Sequence, residues 1–171
     1  MNIYYHPLYT KGIDSKSTFP KERYDLIKDA LAVNKLSNTI AIKTPNKVEI
    51  NDIYRAHSKD YVDAFLNSDL SEKQVREIGL KPWSDKIIDR TLFLTGGSVS
   101  ALYDIYKGAP VSANMAGGTH HAFRERGSGF CIFNDIAICA IKAIEDYNYN
   151  RVLIIDPDVH QGDGTASILE N

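Results

Sequence analysis

The chain contains 171 residues, and its 20 basic and 22 acidic side chains give a formal net charge of −2. This length suits one buried core, so we predict a single domain over residues 1–171. The balanced charge, without a long block of one sign, argues against a nucleic-acid-binding protein. The sequence has neither a secretory signal pattern nor an apolar run long enough to span a membrane, which predicts a cytoplasmic chain.

The first half of the chain predicts one short strand followed by helices. "NIYYHPLY" is aromatic and β-branched, which favours an opening strand. "KERYDLIKDALAV" has apolar residues at helical spacing, with Pro20 placed for the first turn. Ser58 is a candidate N-cap, and Ser71 with Gln74 forms a capping-box pattern before a helix that Gly79 would end.

A longer helix is predicted from Ser84 to about Tyr106, interrupted by the adjacent Gly96 and Gly97. Each glycine costs about 1 kcal/mol inside a helix. Close packing against a neighbouring element would compensate for this cost, so we interpret the two glycines as structural.

The second half predicts two parallel strands joined through a helix. "VSANMA" and "RVLIID" both have the composition of buried strands. Between them lie a glycine-rich polar loop, "GGTHHAFRERGSGF", and a helix, "IAICAIKAIEDY", with Asn134 or Asp135 as its N-cap. This order predicts an α/β fold with a parallel sheet flanked by helices.

Two polar clusters follow the two predicted strands: "GGTHH" after the first and "DPDVHQGDG" after the second. Functional groups of open α/β sheets collect beyond the carboxyl ends of the strands. The sequence therefore predicts a functional site built from both clusters.

The residue types in these clusters point to metal-assisted hydrolysis. Residues two apart on an extended backbone face the same way, so Asp156, Asp158 and His160 are expected to project together. Carboxylate and imidazole donors suit Zn²⁺. His120 and His121 could move protons at a metal-bound water, with Asp156 and Asp163 as the carboxylates that orient them.

Each motif also has a plainer interpretation. A lone His-His pair is commonly a packing feature, and the pattern of Asp156, Asp158 and His160 could be a capped strand end. Gly129 and Phe130 could form a turn or part of the core, or Phe130 could line a narrow channel. The presence of three of the five histidines in two clusters at strand ends favours a site.

At these residues the sequence resembles the zinc-dependent histone deacetylase family, in particular its bacterial and class IV-like branch. "GGTHHAFRERGSGFCIFNDIAICA" and "VLIIDPDVHQGDGTA" are similar to the two most diagnostic blocks of that family, in the same order. The resemblance implies the three-layer arginase/deacetylase-like fold, of which this chain would be the truncated N-terminal half.

The resemblance also implies roles. His120 and His121 match the acid/base pair, with His121 as the base, and Asp156 and Asp163 match their carboxylate partners. Asp158 and His160 match two of three Zn²⁺ ligands. Gly129 and Phe130 match the wall of the substrate tunnel, and a structural K⁺ would lie near Asp156, Asp158 and the backbone of His160.

The implied reaction removes an acetyl group from acetylated lysine or a related acetylated amine. In the family, the third zinc ligand and the tyrosine that stabilises the oxyanion lie beyond the matched portion. An alternative is therefore a catalytically inactive chain that acts as an interaction module or is a remnant. A homo-oligomer or a partner chain would then cover the exposed sheet edge.

A dinuclear manganese ureohydrolase is a further alternative. That class places a second aspartate two residues after the histidine, whereas here Gly162 holds the position and Asp163 follows it. The single-metal deacetylase pattern fits the sequence better.

Overall fold

The structure, a computed structural model, describes residues 1–33 and 39–170. The chain divides into two compact units, one formed by Met1–Val48 and Lys81–Gly117 and the other by Glu49–Leu80 and Gly118–Asn171. The strands are β1 (Asn2–Tyr4), β2 (Ala41–Lys43) and β3 (Ser112–Asn114). The helices are α1 (Leu8–Lys11), α2 (Arg23–Val33), α3 (Ile50–Ala56), α4 (Lys59–Leu66), α5 (Glu72–Ile78), α6 (Ile87–Tyr106), α7 (Asp135–Glu145) and α8 (Asp163–Leu169).

The first unit is built on a three-stranded parallel sheet. The strand order is β2-β1-β3, with Ile3 opposite both Ile42 and Ala113. Helix α6 packs against β1 and β3, and α1 packs against α6. The predicted opening strand and the mixed α/β class with a parallel sheet are confirmed. Strand β2 was not anticipated, because its three residues are all exposed and give no apolar alternation.

Helix α6 spans 20 residues and contains both adjacent glycines, as predicted. A Cβ at Gly96 would lie 1.9 Å from the carbonyl oxygen of Asn46, and one at Gly97 would lie 2.5 Å from the Asn114 side chain. The glycines therefore let the helix approach its neighbours within the unit, which offsets their helix-propensity cost. Within the described residues, neither α6 nor another helix is both long and apolar enough to cross a membrane.

The second unit contains helices α3, α4, α5, α7 and α8 around an aromatic and aliphatic core. Phe65 and Phe133 meet edge to face with ring centroids 5.1 Å apart, and Ile138 of α7 is fully buried. The predicted capping box begins α5, with both hydrogen bonds between Ser71 and Gln74 formed. Asn134, one of the two predicted caps, begins α7 by accepting a hydrogen bond from the backbone N–H of Ala137.

The prediction of a second buried strand at residues 151–156 was wrong. This segment belongs to no strand of the described structure, and Leu153 and Ile155 are 83% and 79% exposed. Val152 and Ile154 line an apolar groove together with Leu169 of α8. An apolar β-branched run forms a strand only when a neighbouring strand takes up its backbone hydrogen bonds, and here only one face of the run packs. Among the described residues, this segment is therefore not part of a sheet, and a partner chain covering it stays a prediction.

Candidate active site

The candidate site lies in the second unit and centres on two histidine–aspartate pairs. Nδ1 of His120 lies 2.6 Å from Oδ2 of Asp156, and Nδ1 of His121 lies 2.9 Å from Oδ1 of Asp163. The two imidazole rings are neighbours, with centroids 4.2 Å apart. The predicted partners are thus in contact, although the pairs are separated by more than 30 residues of sequence.

These contacts fix how each imidazole can act. An ionised carboxylate only accepts hydrogen bonds, so Nδ1 of each ring carries the proton and Nε2 is left as the basic nitrogen. The hydrogen bond from His120 lowers the pKa of Asp156, and the hydrogen bond from His121 lowers the pKa of Asp163. Both carboxylates therefore stay ionised as orienting groups at neutral pH.

The two histidines differ in burial. The His120 side chain is 7% exposed, whereas that of His121 is 22% exposed. His121 is the ring that solvent and a small substrate reach more readily, and this difference suits a base that accepts a proton from water.

The backbone before the histidines is held by the start of α7. The Asp135 carboxylate, which is 3% exposed, accepts hydrogen bonds from the backbone N–H groups of Gly118 (3.3 Å) and Thr119 (2.8 Å). The hydroxyl of Thr119 also donates to Asp135. Sequence reasoning missed Thr119 and Asp135 as supports of the site, because the alternatives at 134 and 135 were considered only as helix caps.

Gly129 lies beside His121, and Gly129 and Phe130 both have an unusual backbone conformation. Both have positive φ, 52° for Gly129 and 67° for Phe130. A Cβ at position 129 would lie 2.7 Å from Cδ2 of His121, so only glycine leaves room for that ring. The Phe130 backbone N–H donates to the carbonyl of Ile78 (2.7 Å), and the residue is 42% exposed. The Phe130 ring lies beside Gly79, where an added Cβ would be 3.4 Å from Cε1 of Phe130. The role of Phe130 in substrate binding stays a prediction.

Asp158 and His160 face one another on an exposed turn. Oδ1 of Asp158 accepts hydrogen bonds from the His160 backbone N–H (2.8 Å) and Nδ1 (2.9 Å), which lower the pKa of Asp158. Oδ1 of Asp156 likewise accepts from the Asp158 backbone N–H (3.1 Å). The side chains of Asp158 and His160 are thus in contact, and the His160 ring lies 5.9 Å from that of His121, measured between centroids. The extended strand expected to carry them is not formed in the described residues, where consecutive side-chain-to-backbone hydrogen bonds hold residues 156–160 instead.

The donors fit a metal site only in part. A carboxylate oxygen and an imidazole nitrogen 2.9 Å apart are of the type that Zn²⁺ binds. Catalytic zinc sites use three protein ligands, and no group of three or more metal-binding side chains is assembled in residues 1–33 and 39–170. Asp158 and His160 could therefore supply two ligands of such a site.

Comparison with known proteins agrees with the family resemblance of the two sequence blocks. A sequence model of the histone deacetylase domain matches residues 17–171. The chain is 39% identical over 171 residues to an uncharacterized protein of Picosynechococcus. This alignment covers 99% of this chain and 56% of that protein. It is 35% identical over 144 residues to histone deacetylase clr6 of Schizosaccharomyces pombe, covering 78% of this chain and 35% of clr6. It is 32% identical over 171 residues to the acetoin utilization protein AcuC of Staphylococcus aureus, covering 95% of this chain and 44% of AcuC.

The chain spans between 35% and 56% of the length of these relatives. The domain match includes all residues of the candidate site, from His120 to Asp163. The chain belongs to the histone deacetylase family.

Proposed function

We propose that this chain carries the acid/base part of a zinc-dependent deacetylase that removes acetyl groups from acetylated lysine or a related acetylated amine. The observation that supports this most is the pair of adjacent imidazoles, each bonded through Nδ1 to its own aspartate. Two oriented bases at one place suit amide hydrolysis, which requires one proton to leave water and one to reach the departing amine.

In the proposed reaction, Nε2 of His121 accepts a proton from the attacking water as the new C–O bond forms. The histidine pair then delivers a proton to the amide nitrogen as the C–N bond breaks. Acetate and the free amine are the products. Asp163 and Asp156 hold the rings and stabilise the imidazolium that forms during transfer. Phe130 would contact the aliphatic stem of the substrate beside Gly129.

Asp158 and His160 are the residues that would hold Zn²⁺, together with a third donor. When bound, this ion would polarise the acetyl carbonyl and lower the pKa of the water. Because the described residues provide two candidate donors, we expect weak zinc affinity for the chain alone. Replacing His160 with alanine should weaken zinc binding further, measured by competition with a chromogenic chelator, whereas replacing His6, which belongs to the other unit, should not. A structural K⁺ near Asp156 and Asp158 stays a prediction.

We also propose that residues 1–171 form the N-terminal half of one deacetylase-like catalytic domain. The match over residues 17–171 and the partial coverage of the longer relatives support this proposal.

The test of the function is release of amine from an acetyl-lysine reporter by the purified chain with added Zn²⁺. Loss of the base should reduce the rate by about 10²–10⁴-fold in His121→Ala, as is typical for general-base removal. His6→Gln is the matched control, because His6 lies in the other unit. A folded chain without activity would contradict the proposal for this chain and favour the alternative of a non-catalytic interaction module or remnant.

A further inference from the structure

The Asn134 side chain ties together three pieces of the second unit. It is fully buried, and its Oδ1 caps α7 by accepting from the backbone N–H of Ala137 (3.0 Å). Its Nδ2 donates to the carbonyl oxygen of Ala122 and to Oγ1 of Thr165, both at 3.0 Å. One carboxamide therefore joins the helix start, the backbone just after His121, and helix α8.

We call residues 118–133, which carry His120 and His121, the histidine loop. Thr165 links this loop to α8, the helix that begins with Asp163. Its backbone N–H donates to the carbonyl oxygen of His120 (3.0 Å), and its residue is 7% exposed. Asp163, two residues earlier on α8, accepts the hydrogen bond from His121. The distance between His121 and Asp163 therefore depends on the hydrogen bonds that hold α8 against the histidine loop.

The close approach of these two segments is built into the sequence at Gly164. A Cβ there would lie 2.4 Å from the Ala122 oxygen and 2.6 Å from the His120 oxygen. Both oxygens are acceptors of the hydrogen bonds from Asn134 or Thr165. The loop and α8 are therefore in direct backbone contact, with the Asn134 amide at the joint.

His57 also holds the backbone close to this contact between the histidine loop and α8. Its Nε2 accepts the backbone N–H of Asn134 (2.8 Å), and its Nδ1–H donates to the carbonyl of Phe123 (2.9 Å). The ring is 1% exposed, and burial lowers its pKa to about 4, so it stays neutral and can accept at neutral pH. The backbone of Asn134 is thereby fixed relative to Phe123 of the histidine loop.

Helix capping alone does not account for Asn134. Serine, threonine and aspartate cap helices about as well, and a cap needs only the acceptor oxygen. The two amide hydrogens are the feature that those residues lack, and both are directed toward the loop and α8.

We propose that Asn134 is a positioning residue that, through Thr165, holds His121 at hydrogen-bond distance from Asp163. The catalytic consequence of this role rests on the proposed deacetylase function, but the geometry itself is testable without activity.

The experiment reads the tautomers of the imidazoles by two-dimensional ¹⁵N NMR at about pH 8.5, where an ordinary histidine is neutral. In the unmodified chain His121 is expected in the Nδ1-protonated form. Thr165→Val, which removes only the hydroxyl, should shift His121 to the tautomer mixture of an unconstrained imidazole, and Thr165→Ser should restore the original form. Asn134→Ser, which keeps a capping oxygen, should behave like Thr165→Val.

Unchanged signals from the buried His57 of the same unit, together with unchanged far-ultraviolet circular dichroism, show that a variant remains folded. The proposal is overturned if folded Thr165→Val keeps the Nδ1-protonated His121. A deacetylase assay that fails in the unmodified chain would contradict the proposed function and leave this tautomer test intact.

Discussion

Two stretches of the candidate site, residues 118–134 and 151–160, are held in different ways. His120, in the first stretch, is 5% exposed and its backbone oxygen accepts from Thr165, 45 positions later. In the second stretch Leu153 and Val159 are 83% and 93% exposed. There, Asp158 is bonded chiefly to its near neighbour His160.

This difference separates the two kinds of chemistry expected of the site. The histidines are oriented by hydrogen bonds from distant parts of the second unit, so the protein positions them without help from a ligand. The candidate metal donors rely on turns within a few residues, which fix their neighbourhood but do not bury it. We therefore expect substitutions in the first stretch to cost stability and substitutions in the second to cost little.

The largest expected effect is the pH dependence of the free energy of unfolding that His57 causes through its contacts with the first stretch. Burial lowers its pKa to about 4 from 6.5, so between these values the unfolded chain binds a proton that the folded chain does not. The free energy of unfolding should fall by on the order of 3 kcal/mol as the pH falls through this window, with little further change from His57 below it. The free energy of unfolding, measured by urea denaturation at several pH values in this range, should change less with pH in His57→Gln than in His160→Gln. The second variant replaces an exposed ring. An equal pH dependence in the two variants would mean that His57 is not buried in solution.

The next effect is steric. Gly164→Ala would place a methyl group 2.4 Å from the oxygen of Ala122. We expect a loss of about 1–3 kcal/mol in the free energy of unfolding, because backbone must move to make room. The control is Ser167→Ala, an exposed change on the same helix, which should alter stability by less than about 0.5 kcal/mol. Similar denaturation midpoints for the two variants would refute the close packing of α8 on the loop.

A smaller effect is expected at Asp163, whose side chain is 46% exposed. The hydrogen bond from His121 lowers the pKa of Asp163, so its stabilising contribution is present above the ordinary carboxyl pKa and is lost as the pH falls through the lowered value. Solvent screening reduces this contribution to at most about 1 kcal/mol. Asp163→Asn should therefore be slightly less stable than the unmodified chain at neutral pH, and the gap should close in acid. A gap that widens in acid would contradict the assignment.

An effect of similar size is expected from a matched pair of isoleucines. Ile138 is fully buried in α7 and Ile155 is 79% exposed. Ile138→Val should cost about 0.5–1.5 kcal/mol, and Ile155→Val should cost almost nothing, as measured by denaturation at low protein concentration. A comparable cost at both positions would show that another chain covers residues 151–155 in solution.

Features that depend on neighbouring residues were predictable from the sequence. The capping box of Ser71 and Gln74 and the cap at Asn134 follow from short-range hydrogen bonding, so local patterns indicated them correctly. The pairing of the two histidines with Asp156 and Asp163 spans more than 30 positions, and it was anticipated because these residues match the acid/base pair and its carboxylates in the family that the sequence resembles. The roles of these residues in catalysis stay predictions.

Other features that depend on a partner elsewhere in the chain were not predictable from local patterns. Residues 151–156 have the composition of a strand, but the structure provides no neighbouring strand for them among its described residues. Strand β2 shows the converse, since three exposed residues became a strand because β1 offered backbone hydrogen bonds. The hydrogen bond between Asn134 and Thr165 joins residues 31 positions apart and leaves no trace in a local pattern.

The sequence by itself determined helices α2, α4, α5, α6 and α7, the opening strand, the family and the set of polar residues from which a site could be made. Periodicity, caps and short motifs carry this information because the interactions behind them span a few residues. Only the tertiary structure decided that His120 and His121 are held on both sides by the start of α7 and by α8, while Asp158 and His160 lie on an exposed turn. Burial and hydrogen-bond pairing over long separations depend on which surfaces meet, and that is settled when the chain packs.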